Sequence, residues 1–500
     1  MLMNPIFFAG TLFLSLSACM FAGPLECGTA KVEITDQDAG PVNDPAFAKV
    51  LVLRRDGTTI LLLTLDAVAV GEIGRVPTNF LTELREKLRT VFNIDPSHVL
   101  ITASHCHAIV KPDLLTPVLA AVKEAIGHMS PSRAGMGIAY ENRISENRRI
   151  TLHDGSEADM RRAYSMPKDA DVARTGPIDP EIGILKIEKH DGTPLAVVYN
   201  FACHPIMNPP SKGNSADFPG FSSMLIEETL GHGALAFFVQ GCAGDINPIR
   251  YKETSSTPDA EPLGVMLAGS VLKSLHSIQT EANPILEMTS RQLRVPTARN
   301  YEDRIKLIEA DRQSLLNSLK PTDINFKSFL PLFIQHKIWP DAPSRHIQSY
   351  LHDQSQDRAP LRQQDADNKK SIEGYLANIE AMEKLTRLNI NLALLKKHQK
   401  HVRILPEKSL NAELCSLRVG EFRLVTFPGE LTVEVGLEIK KKAAPKRVFV
   451  AGYTNGYLYY APTAAQLKNT GYAQEDCDTL LAPEWQSQFE ASALEVIKGL

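Results

Sequence analysis

Two histidines one residue apart, His105-Cys106-His107, follow directly on the apolar run Val99 to Ile101. In extended chain, residues two apart share a face, so both imidazoles look at one place while Cys106 points away. Neutral imidazole is a good zinc ligand and a base near neutral pH, so the pair suits a metal ligand beside a proton-transfer group. Satisfied polar histidines fit the same text equally well. A second histidine sits in Phe201-Ala202-Cys203-His204-Pro205, at the end of the apolar run Leu195 to Tyr199. Pro205 restricts the backbone of His204, as a fixed ligand requires.

Three further clusters have the same form, a polar text behind an apolar run. Gln240-Gly241-Cys242-Ala243-Gly244-Asp245-Ile246-Asn247-Pro248 follows Leu235 to Val239. Its small residues let backbone amides approach a ligand, and Asp245 and Asn247 are placed to orient a reacting water or an oxyanion; a plain Gly-rich turn is the competing reading. Phe427-Pro428-Gly429-Glu430 offers a carboxylate behind a tight turn. The segment Gly452 to Thr463 carries Tyr453, Tyr457, Tyr459 and Tyr460. A tyrosine beside a divalent cation can bind as phenolate, although spacing alone reads these rings as core or as a substrate wall.

The elements that must hold these clusters alternate. Ala48 to Leu53, Ile60 to Leu65, Val99 to Ile101, Leu195 to Tyr199, Leu235 to Val239 and Arg447 to Val450 read as buried strands. Asn79 to Phe92, Leu114 to Ile126, Gly220 to Leu230 and Leu263 to Leu275 have helical spacing and length. The expectation is an α/β fold, a mixed layered sheet with flanking helices. From 300 to 406 the text turns polar and helical, as in Tyr301 to Leu319 and Ile372 to Lys397, and reads as a helical insertion. Leu414 to Phe427 and Arg447 to Gly452 return to strand-like text, expected to complete the first sheet.

The 500 residues, 43% hydrophobic and 22% charged, describe a folded globular chain. Against 54 basic residues stand 58 acidic ones, a net charge of −4 with no footprint for nucleic acid or an anionic membrane. Ile6 to Ala18 has the length of a signal-peptide core rather than the ~20 residues of a membrane span, although no Lys or Arg precedes it. Residues 1–22 are therefore expected to be an export signal and 23–500 one catalytic domain. Leu16-Ser17-Ala18-Cys19 resembles a lipoprotein signal, which would lipidate Cys19 and anchor the chain at a membrane; ordinary cleavage near Ala22 is the rival. The location expected is periplasmic, cell-surface or secreted. The six later cysteines permit disulfides without specifying any, and those inside the polar motifs read as small buried thiols.

The order and text of all five clusters, over most of Ala30 to Tyr472, resemble the neutral, non-lysosomal ceramidases, zinc enzymes that hydrolyse the amide of ceramide. That family shows a His-Thr-His strand end, a His-Pro pair, a Gly-Asp-Val-Ser-Pro turn, a Pro-Gly-Glu turn and an Asn-x-Tyr-x-x-Tyr segment. Here they read His105-Cys106-His107, His204-Pro205, Gly244-Asp245-Ile246-Asn247-Pro248, Pro428-Gly429-Glu430 and Asn455-Gly456-Tyr457-Leu458-Tyr459-Tyr460. The resemblance implies one zinc per chain, with ligands His105, His204, Glu430 and Tyr460. It also implies His107 for proton transfer, Tyr472 as a second catalytic tyrosine, and Arg148 as a substrate-reaching arginine.

Departures from the pattern bear on the chemistry. The family's serine is Asn247 here, and a carboxamide cannot serve as a nucleophile, so attack by metal-activated water is what remains. Ala108-Ile109-Val110-Lys111-Pro112 replaces a Gly-rich lip, and the family's immunoglobulin-like domain is not expected after the catalytic text. The resemblance thus implies a linear-amide hydrolase acting on a small amphipathic or N-acylated substrate, with no protein partner specified. An esterase or lactonase using the same site, and a non-catalytic surface-binding protein on the same fold, are the alternatives.

Overall fold

The computed structural model describes residues 23–160, 167–251, 253, 255–340, 346–469 and 473–499. Tyr472 and Cys19 lie outside the described residues. Phe47–Arg55 and Thr58–Leu65 form an antiparallel hairpin. Its two-residue turn, Asp56-Gly57, has φ of 48° and 79°, the doubly positive geometry that matches the twist of paired strands and that Asp-Gly adopts readily. After the helix Phe80–Phe92, ended by Asn93 in the left-handed conformation, Val99–Ala103 pairs parallel to Thr58–Leu65.

These strands belong to an eight-stranded mixed sheet. Its order is Leu235–Gln240, Pro194–Phe201, Glu181–Lys189, Ser130–Tyr140, Glu26–Glu33, Phe47–Arg55, Thr58–Leu65 and Val99–Ala103. The two end strands of that order come back together: the Gln240 amide, at the end of one, donates to the carbonyl of Ser104, just past the other, at 3.1 Å. The polar loops behind both strands therefore face each other.

A correction concerns the C-terminal strands. They do not complete this sheet but build a second one, Leu286–Pro296, Ser409–Val419, Phe422–Thr426 and Phe449–Ala451. The two sheets pack face to face: Leu51, Leu53, Leu62, Leu100 and Phe237 of the first share one core with Leu417, Phe422, Leu424 and Phe449 of the second. Along Phe47–Arg55 the alternate residues, Val50 and Val52, face the helices Phe80–Phe92 and Leu115–Gly127 instead. Strands buried on both faces read as unbroken apolar runs, and such a run carries no information about which sheet it joins.

Leu286–Pro296 and Ser409–Val419 pair from Leu286↔Val419 to Pro296↔Ser409, so everything between them is carried on one hairpin. That segment forms the helices Tyr301–Ser318, Phe326–Ile338, Ile347–Ser355 and Pro360–Ile404. The last is 45 residues long, and Leu385, Leu388, Leu392 and Leu395 give it one buried stripe. Among the described residues no helix is long and apolar enough to cross a membrane.

Candidate metal centre

The chain leaves its strand at Ala103 and turns, so the expected extended alternation of His105 and His107 does not hold: His105 has φ +67°. The two rings still share a space, 5.6 Å between centroids, with His105 buried and His107 exposed at the mouth. The His105 backbone N–H donates to Ala67 at 3.0 Å, and its ring Nδ1 lies 2.6 Å from the carbonyl of Val68. A carbonyl only accepts, so Nδ1 carries the proton and Nε2 keeps its lone pair. His204 repeats the device: both its backbone N–H, at 2.9 Å, and Nδ1, at 3.1 Å, reach the carbonyl of Ile246. Gln240 ties the two loops, donating to the carbonyls of Ser104 and Cys203.

Glu430 comes from the second sheet's side and completes the cluster. Its Oε2 stands 3.1 Å from His204 Nε2 and 3.5 Å from His105 Nε2. The ligand atoms of these three buried residues all lie within 4.8 Å of one another. Two imidazole nitrogens and a carboxylate are a donor set suited to a divalent transition ion. Gly244 is what lets Glu430 come so close: a Cβ there would meet the Glu430 carbonyl oxygen at 2.6 Å. Glu430 pairs with Tyr460 in a short parallel ladder, which places the fourth expected ligand beside it. The Tyr460 ring stacks on His204 at 6.5 Å.

The electrostatics favour a charged Glu430 carboxylate and a neutral His105. Burial alone would raise the Glu430 carboxyl, but His105, His204 and the Tyr457 hydroxyl hold it far below the usual range. Burial drives His105 down to about 4, outweighing the attraction of Glu430. Tyr453 donates to Glu430 Oε2 at 3.2 Å and Tyr457 to Oε1. Spacing alone reads these tyrosines as core or wall, and nothing in it marks them as hydrogen-bond donors to the carboxylate.

The structure places Arg148 beside this cluster, on the wall of the same cavity. It is 1% exposed, and its guanidinium donates to Glu475 Oε1 at 2.6 Å, to Asn247 Oδ1 at 3.0 Å and to the carbonyl of Gly244. Its guanidinium also lies 5.5 Å from the Tyr460 ring centroid. Asn247 therefore acts on Arg148 rather than on the cavity. Asp245 does not orient anything in the cavity: its carboxylate accepts the Val433 N–H at 2.8 Å and the Asn147 amide at 3.3 Å. Glu475, fully buried, had no signal in spacing.

His105, His107, Arg148, His204, Glu430 and Tyr460 share one cavity of about 350 Å³, with Gln474 and Asp478 on its wall. Asp478 is held by His398 of the Pro360–Ile404 helix, Nε2 to Oδ1 2.7 Å, so the insertion braces the site. The six cysteines from Cys27 to Cys477 are all buried and free. Burial pushes the thiols of Cys106 and Cys203 far up, which keeps them unreactive.

No protein-family model matches the chain, and no curated protein does. Solved structures do. The neutral ceramidase of Pseudomonas aeruginosa superposes with a TM-score of 0.59 at 16% identity, over 95% of this chain and 75% of that one. A structure described as a ceramidase complexed with C2 gives 0.58 at 15% identity, with the same coverage. The chain has the fold of these ceramidases, and its five polar clusters converge where that fold brings its two sheets' loops together.

Proposed function

We propose that this chain is an exported zinc-dependent hydrolase that cleaves the amide of an N-acylated, amphipathic substrate. The observation that carries the reading is the convergence of His105 Nε2, His204 Nε2 and the Glu430 carboxylate at the base of a cavity, in a chain with the ceramidase fold. Those three residues, with Tyr460, would hold one zinc ion. Bound there, zinc supplies Lewis acidity, polarising a carbonyl and bringing the pKa of water toward roughly 7.

The remaining residues divide the work of amide cleavage. The attacking water gives up a proton and the leaving amine takes one, so a base that returns its proton closes the balance. His107, exposed at the mouth beside His105, is that group. Arg148 offers a fixed positive charge to the cavity, oriented by Glu475 and Asn247, and suits the oxygen on which negative charge develops. Tyr472 would supply a further phenol from outside the described residues. Asn247 supports Arg148 and forms no covalent intermediate.

The test is release of free fatty acid from N-acyl substrates, ceramides through small acylated amines, by zinc-loaded protein with and without chelator. Chelator-sensitive cleavage is the expected result. Cleavage unaffected by chelator, or cleavage of esters alone, would overturn the reading.

A further inference from the structure

The helix Phe326–Ile338 turns apolar residues both ways. Inward, Phe329 is buried and stacks on Phe333 at 5.3 Å and on Tyr375 of the long helix at 4.5 Å. Outward, Phe326, Leu330, Ile334 and Ile338 are exposed by 61, 42, 47 and 58%. They recur every four residues, so they lie on one face and form a ridge about 18 Å long. Trp339, 63% exposed, prolongs it and lines one cleft with Ile347 of the next helix, where Leu351 is also exposed. Single exposed apolar residues are ordinary, whereas a continuous ridge marks a contact surface.

Charge says what the contact is. Asn325 to Pro340 contains no Asp or Glu, while Lys327 and Lys337 stand next to the two ends of the ridge. The neighbouring helix Tyr301–Ser318, by contrast, carries Glu302, Asp303, Glu309 and Asp311. We infer that this face of the helical insertion docks on a lipid bilayer surface with anionic headgroups, the ridge in the acyl boundary and both lysines at headgroup level. The net charge of −4 does not oppose this, because charges beyond a Debye length of about 8 Å are screened. A second copy of the chain is a poorer occupant: a stable dimer uses about 20–30 residues a side, and the ridge with its extension offers only about seven exposed apolar residues. This inference stands independently of the hydrolytic reading.

The test uses the full chain carrying Cys19→Ser, so that no acyl anchor contributes, sedimented with phosphatidylcholine vesicles with or without phosphatidylglycerol. The chain is expected to sediment with the anionic vesicles and to be released by salt. Ile334→Asp with Ile338→Asp, both at exposed positions, lowers the affinity more than about tenfold. Lys327→Glu with Lys337→Glu removes the preference for phosphatidylglycerol. Val91→Asp, at a 64% exposed position on the helix Phe80–Phe92, changes nothing. A chain that stays in the supernatant, equal binding by the Ile334/Ile338 variant, or a ridge-dependent dimer that ignores vesicles would overturn the inference.

Discussion

In the two-sheet sandwich the polar residues of interest are the most deeply buried, with His105, His204, Glu430, Arg148 and Glu475 each at most 3% exposed. On the helix Phe326–Ile338 of the insertion the relation is inverted, and Ile338 and, just past it, Trp339 are 58 and 63% exposed. A buried ion costs several kcal/mol unless partners compensate it, and the sandwich supplies those partners one by one: Tyr453 and Tyr457 for Glu430, Glu475 and Asn247 for Arg148. The insertion spends no such partners on its ridge. The difference teaches that the sandwich is organised to hold charge away from water, and the short helices of the insertion to offer apolar surface outward.

The sharpest way to break that contrast is to remove a partner inside the sandwich. Glu475→Ala leaves the Arg148 guanidinium buried with its strongest ion pair gone, and the expected cost is about 3–5 kcal/mol in urea unfolding. A loss near zero would mean that water or another acid replaces Glu475. Asn247→Ala removes one hydrogen bond to Arg148, worth about 1.5 kcal/mol, so turnover falls about tenfold while bound metal stays constant. Unchanged turnover would make Asn247 a packing residue only.

The joint between the two regions should respond less. His398→Gln weakens the hold of the long helix on Asp478, and a few-fold fall in turnover is expected, with metal content unchanged. A further effect is a pH slope. Burial raises the Asp245 carboxyl to about 6, above its ordinary value, so folding takes up a proton there between about pH 4 and 6 and its contribution to stability declines as pH rises through that window. Asp245→Asn removes that slope, whatever constant cost the substitution adds, as urea midpoints at pH 4.5 and 6.5 would show. An unchanged slope would show that Asp245 does not titrate in that window.

Much of this was legible because the polar clusters sit at strand ends, where an apolar run followed by His, Gly or Pro marks both the element and its functional tip. Helices such as Phe80–Phe92 and Leu115–Gly127 fall where their periodicity places them. Sheet membership was not legible, since strands buried on both faces look alike in either sheet. The left-handed turn at His105 was hidden too, because a non-glycine residue with positive φ leaves no compositional mark. Glu475 and Asp478 escaped notice because a carboxylate in a loop reads as solvated until the fold buries it. Asp245 drew attention for the opposite reason: its Gly-rich surroundings suggested that it orients a reacting water or an oxyanion, while Gly244 makes room for the backbone of Glu430.

The central claim, that the buried His105, His204 and Glu430 cluster is a metal centre on which hydrolysis depends, is tested most directly by metal content. Wild-type chain and Glu430→Gln are loaded with zinc, freed of excess, and analysed by elemental mass spectrometry beside their turnover of an N-acyl substrate. The account predicts one zinc per wild-type chain, and a fall of at least about tenfold in both zinc and turnover for the variant. A Glu430→Gln chain with full zinc and full turnover would contradict it.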